Sequence, residues 1–129
     1  MKHIDWKEID QRVNKLVERI NKAKYTNIYG VPRGGLILAV ILSHRLKLPL
    51  IMDGKSIDRK TLVCDDICDS GETLSIFDIQ EIDSCCLYKR YNSSMTPTYY
   101  AKEICNDQWL LFPWESDDSE AIQDYKTQQ

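Results

Sequence analysis

Apolar positions near the start of the chain recur at helical spacing. Ile9, Val13, Leu16, Val17 and Ile20 fall on one face, and Asp5 followed three residues later by Glu8 has the form of a capping box. An amphipathic helix is predicted there. The period then changes. Residues 27–31 read as a short buried strand stopped by Pro32, and Gly34 and Gly35 lead into an apolar run over 36–46, giving strand, glycine loop and helix. Residues 48–52 read as a second strand of this kind, and the polar stretch 53–59 as a turn. Residues 60–64 form a third, ending in Asp65 and Asp66; Asp69, Ser70 and Gly71 then make a loop opening a helix over about 72–80. Two further strands are expected at 84–88 and 99–105, separated by Asn92, Ser93, Ser94 and Pro97, with an acidic, partly helical tail at 116–129.

Strands alternating with helices imply an α/β fold: a central parallel sheet with helices on both faces and ligand sites at the carboxyl ends of the strands. Both glycine loops fall at such ends. At 129 residues the chain has the size of one domain, 1–129, and neither a repeat nor a low-complexity linker divides it. Its 43% hydrophobic and 29% charged residues are those of an ordinary packed protein. The net charge of −3 argues against nucleic acid as a partner, since that binding needs a concentrated cationic surface. An anionic small molecule is still allowed, because backbone N–H groups and a few placed cations supply local positive potential. The five cysteines are odd in number and lack zinc-site spacing, so they read as reduced core thiols. The first ten residues carry five charged side chains rather than the apolar stretch of a signal peptide, and the run 36–42 is too short to span a bilayer. A cytoplasmic protein with no membrane partner is expected.

The chemistry concentrates in residues 62–74, L-V-C-D-D-I-C-D-S-G-E-T-L. A hydrophobic strand delivers two adjacent carboxylates, and a short loop then starts a helix. Backbone N–H groups of Ser70, Gly71, Glu72 and Thr73 with the hydroxyls of Ser70 and Thr73 can cradle a phosphate, Gly71 permitting close approach or positive φ. Asp65 and Asp66 can accept hydrogen bonds from two vicinal hydroxyls, as on a ribose. Their charge beside a phosphate favours an intervening divalent cation, for which magnesium is the natural choice. In isolation D-x-S-G means only a helix cap; the complete thirteen-residue pattern favours a phosphate site.

These residues resemble the signature for phosphoribosyl pyrophosphate (PRPP) in the type I phosphoribosyltransferases: apolar strand, two acidic residues, two spacers, Asp, Ser or Thr, Gly, any residue, Thr. The resemblance implies Asp65 and Asp66 on the ribose hydroxyls, Asp69 as general base near the purine, and Ser70, Gly71, Glu72 and Thr73 around the 5′-phosphate. Glu72 stands where the family commonly has glycine. Magnesium would arrive with PRPP, with Asp65 or Asp66 as a ligand. Residues 29–35, Y-G-V-P-R-G-G, resemble the family's pyrophosphate loop, with Arg33 and Gly34 gripping the pyrophosphate. The segment 109–115, W-L-L-F-P-W-E, resembles the base-binding segment of the hypoxanthine, guanine and xanthine enzymes, within a region of about 105–115. There Trp109 would stack on the purine, Leu110 and Glu115 would lie beside it, and Trp114 reads as core. Lys89 matches a lysine directed at the exocyclic O6.

The activity so implied is transfer of ribose 5-phosphate from PRPP to a 6-oxopurine, through an oxocarbenium-like transition state. Dimers or tetramers of the same chain are a family-level expectation. One departure bears on this: the family carries a long mobile loop between its second and third core strands, and here only 53–59 is available. A minimal form of the family's fold with a short hood is therefore expected, and a weakly catalytic or non-catalytic regulator that binds PRPP or a purine nucleotide is the second reading. A phosphotransferase using Asp65 as nucleophile lacks the further motifs it would need.

Overall fold

The computed structural model describes residues 1–116. Asp5 caps the first helix, α1 (Trp6–Arg19), accepting from the Glu8 N–H at 2.8 Å. Only half of the predicted capping box forms. The Glu8 carboxylate turns to the Tyr88 hydroxyl at 2.5 Å and to Lys2 and Arg12 at 3.6 and 3.8 Å, tying α1 to the sheet instead. Ile9, Val13 and Leu16 are its buried face. Residues preceding it form a two-residue strand, β1 (Lys2–His3), that the apolar pattern does not reveal.

Strand β2 (Asn27–Gly30) leads into α2 (Gly34–Leu46), which the chain leaves through Lys47 in the left-handed conformation. A short β3 (Leu50–Ile51) follows, and then a connection with one 3-10 turn, Gly54–Ser56, capped by Asp53. Strand β4 (Thr61–Cys68) runs four residues past the expected stop, carrying Asp65 and Asp66 inside the ladder. Helix α3 (Glu72–Asp78) is shorter than predicted, ending before Glu81, which has positive φ. β5 (Ser84–Arg90), β6 (Tyr99–Ile104) and β7 (Leu110–Leu111) complete the described chain. The tail expected to be partly helical lies outside the described residues from 117 onward.

Five strands form a parallel sheet in the order β3-β2-β4-β5-β6, and β1 pairs with β7 in a separate parallel pair. One core cluster joins the sheet to α1 and α2 through residues such as Leu16, Leu38, Leu42 and Leu62. A smaller one gathers Val63, Cys86, Leu74 and Ile82 on the α3 side. Helices therefore cover both faces, as the alternation predicted. The chain departs from β2 to β3 on one side and returns to β4 on the other, so the strand order reverses between β2 and β4. Loops leaving the carboxyl ends at such a reversal diverge and open a crevice. Among the described residues no helix is long and apolar enough to cross a membrane.

Candidate active site

At that reversal lies a cavity of about 690 Å³, a size suited to a nucleotide-scale ligand. Its floor is the end of β4, its walls are the loops after β2 and β4, and its far side is the segment around β7. Arg33, Gly34, Asp65, Asp66, Asp69 and Ser70 all line it. Gly71, Thr73, Trp109, Leu110 and Glu115 do so as well. Residues dispersed over eighty positions of sequence thus share one cleft.

Asp65 and Asp66 are held by their own strand. The Asp66 N–H donates to Asp65 Oδ1 at 2.9 Å, and the Ile67 N–H to Asp66 Oδ1 at 2.8 Å. Burial, followed by the charge of Asp66, pushes the Asp65 carboxyl well above the usual carboxylate range, and burial raises Asp66 too. Two adjacent half-buried carboxylates that line the cleft are poised for a ligand that brings hydroxyl donors or a cation.

The loop after β2 presses against this pair. A β-carbon built on Gly34 would stand 2.0 Å from Asp66 Oδ2, so a side chain there would displace the carboxylate. Arg33 is exposed at the start of α2, beside the cavity. On the other side Gly71 has φ of 92° and caps α3, its carbonyl accepting from the Ser75 N–H at 3.0 Å. The Ser70 carbonyl accepts from the Ser94 N–H at 2.7 Å, so the loop before β6 braces the phosphate-loop candidate.

The base-binding candidate is anchored through its backbone. The Lys2 N–H donates to the Trp109 carbonyl and the Ile4 N–H to that of Leu111, both at 2.8 Å, which explains the role of β1. Trp109 itself is half exposed over the cavity. Trp114, expected as core, also lines the cavity while stacking on Phe112 at 4.9 Å between ring centroids. The Phe112 N–H donates to Glu115 Oε1 at 2.9 Å, which fixes that carboxylate at the rim.

Two predicted site residues are not among those lining the cleft. Glu72 is exposed beyond the lining. Lys89 corrects the sequence reading more sharply: it is 6% exposed, donates to the Arg90 carbonyl at 3.1 Å and lies 3.6 Å from Glu103. The reason is the length of β5. The strand continues through Arg90, and alternation sends neighbouring side chains opposite ways, so Arg90 enters the cleft and Lys89 does not. Arg90 was missed by sequence reasoning; the one available signal was its place beside Lys89 at a buried strand's end. The 53–59 segment contributes nothing to the lining.

Known proteins share this fold. No protein-family model matches the chain. It is 27% identical over 117 residues to a xanthine-guanine phosphoribosyltransferase of Gluconobacter oxydans, covering 71% of this chain and 70% of the relative. Among solved structures, a purine phosphoribosyltransferase from Pyrococcus horikoshii superposes with a TM-score of 0.75 at 29% identity, covering 93% of this chain and 97% of that one. The Helicobacter pylori xanthine-guanine-hypoxanthine phosphoribosyltransferase gives 0.73 at 18% identity, covering 97% of each chain. The parallel five-stranded sheet flanked by helices is the type I phosphoribosyltransferase fold of these structural neighbours. In sequence and fold the chain is similar to type I phosphoribosyltransferases, among them enzymes named for purines.

Proposed function

We propose that the protein is a purine phosphoribosyltransferase that transfers ribose 5-phosphate from PRPP to a ring nitrogen of hypoxanthine, guanine or xanthine, releasing pyrophosphate. The observation that carries this is the convergence in one cleft of Arg33, the Asp65–Asp66 pair, the loop Asp69–Ser70–Gly71 and Trp109. Each supports a different part of the two substrates.

The 5′-phosphate would sit at Ser70, Gly71 and Thr73, whose backbone and hydroxyl donors suit an anion. The ribose hydroxyls would donate to Asp65 and Asp66. Arg33 and the backbone around Gly34 would take the pyrophosphate. The purine would lie against Trp109, between Leu110 and the Glu115 rim. As the C1–O bond to pyrophosphate breaks and the C1–N bond forms, positive charge grows on the ribose. The carboxylates beneath it stabilise that charge. The purine N–H proton passes to Asp69.

Magnesium fits this donor set as a partner of the substrate. No group of three or more His, Cys, Asp or Glu among the described residues could hold a metal ion by itself. Magnesium is usually held by one or two carboxylates together with substrate phosphates, and Asp65 or Asp66 can supply the protein's share. Bound there it would neutralise charge on the departing pyrophosphate. Five free thiols suit a reducing, cytoplasmic setting.

The second reading, a regulator that binds PRPP or a purine nucleotide with little or no turnover, is favoured by one observation. The connection from β3 to β4 holds a single 3-10 turn and contributes no residue to the cavity, so it supplies no cover against water. Incubation of protein, magnesium and PRPP with each 6-oxopurine, followed by ultraviolet absorbance, separates the two. Nucleotide formation with at least one base is expected; binding without product from any base would establish the regulator.

A further inference from the structure

Arg90 lines the cleft and is held by three acceptors. It is 5% exposed at the end of β5. Its Nε donates to Asp69 Oδ1 at 3.1 Å, and its Nη1 donates to the carbonyls of Asn106 and Gln108 at 3.0 and 2.8 Å. Those carbonyls belong to the three residues before Trp109. The Asn106 side chain in turn accepts from the Gln108 N–H at 2.9 Å, closing the turn on itself. One guanidinium therefore joins the carboxylate read as general base to the backbone that presents the stacking ring.

We propose that Arg90 is a positioning residue, holding Asp69 and the segment 106–109 as one rigid unit so that the purine end of the cleft is assembled before the base arrives. The proposal rests on the phosphoribosyltransferase reading above and deepens it.

Its physical basis is the fork geometry of arginine. A planar guanidinium serves the carboxylate and both carbonyls at fixed angles, whereas an ammonium cannot reach all three at once. The Asp69 side chain is 55% exposed, so without the fork it has solvent-facing freedom, while its buried partner does not. The segment 106–109 is exposed along its length, between the end of β6 and β7. Few buried side chains of its own hold it; the Tyr91 hydroxyl donates to Asp107 Oδ1 at 3.3 Å, and further ties run through its backbone. β1 secures the Trp109 and Leu111 carbonyls, and Arg90 secures the two positions upstream. The fork's acceptors, Asp69 and the carbonyls of Asn106 and Gln108, lie on the purine side of the site as read above, whereas Arg33 and Ser70 to Thr73 are read as its PRPP side. Ligand ends should therefore respond differently when it is removed.

The test uses Arg90→Met and Arg90→Lys in the full chain, with guanosine 5′-monophosphate and magnesium PRPP as probes in calorimetry. Arg90→Met should weaken the nucleotide at least tenfold and PRPP by less than threefold, with Arg90→Lys between Arg90→Met and wild type. In a double-mutant cycle with Asp69→Asn, the losses should be clearly less than additive, because both changes break the same unit. Amide hydrogen exchange without ligand should show residues 106–110 exchanging at least tenfold faster in Arg90→Met and α2 unchanged. Equal loss of both ligands, additive losses, or unaltered exchange at 106–110 would overturn the proposal. If wild type binds neither probe, the functional reading fails while the exchange comparison still decides the role of Arg90. Should Arg90→Met not fold, Arg90→Lys carries the same comparisons.

Discussion

Gly34→Ala is the substitution whose effect the geometry specifies best. The new β-carbon would lie 2.0 Å from Asp66 Oδ2 and 2.6 Å from its Cγ, against ordinary contacts of 3.4 Å or more, so about 1.4 Å of separation must be found. Rotating the carboxylate away breaks the Ile67 N–H bond at 2.8 Å, and retreat of the loop moves Arg33 instead. Either way a ribose or pyrophosphate contact is displaced. Misplacement by about 1 Å costs on the order of 100-fold in rate, and a loss of that size in kcat/KM is expected. The matched control is Gly54→Ala. There the nearest neighbour is the Tyr29 hydroxyl at 3.7 Å and φ is not in the left-handed region, so activity should stay within about twofold and the melting temperature should hold or rise slightly. Nucleotide formation at saturating purine and varied PRPP reads both variants. Gly34→Ala within threefold of wild type, with its fold intact by circular dichroism, would refute the link between the β2 loop and the acidic pair.

Three further expectations test other parts of the cleft. Burial and Asp66 raise the Asp65 carboxyl above its unfolded value of about 3.9, so the stability from its protonated form is full below that pH and lost as pH rises through the folded value. Asp65→Asn should therefore melt higher than wild type at neutral pH, by a margin that shrinks toward pH 4, while calorimetry shows PRPP affinity lost; a lower melting temperature at pH 7 would contradict this. Trp109→Ala should weaken a purine nucleotide by about 1–3 kcal/mol and leave PRPP unaffected, and an unchanged nucleotide Kd would remove Trp109 from the base site. Asp69→Asn should reduce turnover far more than nucleotide affinity, and parallel losses in the two would count against it as the base.

How much of this was legible in the sequence depended on whether a signal was local. The glycine loop, the acidic pair and the Asp69–Ser70–Gly71 turn carry their chemistry within a few residues, and all of them line the cleft. The ends of elements were less legible. Carboxylates are poor strand residues, so β4 was expected to stop at Cys64. Pairing with β5, where Cys68 lies opposite Lys89, carries it onward. The same extension of β5 puts Arg90 rather than Lys89 in the cleft, a shift of one position that alternation turns into a change of side. β1 is only two residues long, and its partner lies more than a hundred positions away, so no periodicity announces it. Two of the three acceptors of Arg90 are backbone carbonyls, which have no sequence signature at all.

The most direct measurement is a crystal structure with magnesium and PRPP or a 6-oxopurine nucleotide bound at saturation. The account requires the 5′-phosphate on the Ser70 to Thr73 turn, the sugar hydroxyls on Asp65 and Asp66, and the base against the Trp109 indole. A ligand lodged elsewhere, or that turn vacant while the protein is saturated, would contradict it.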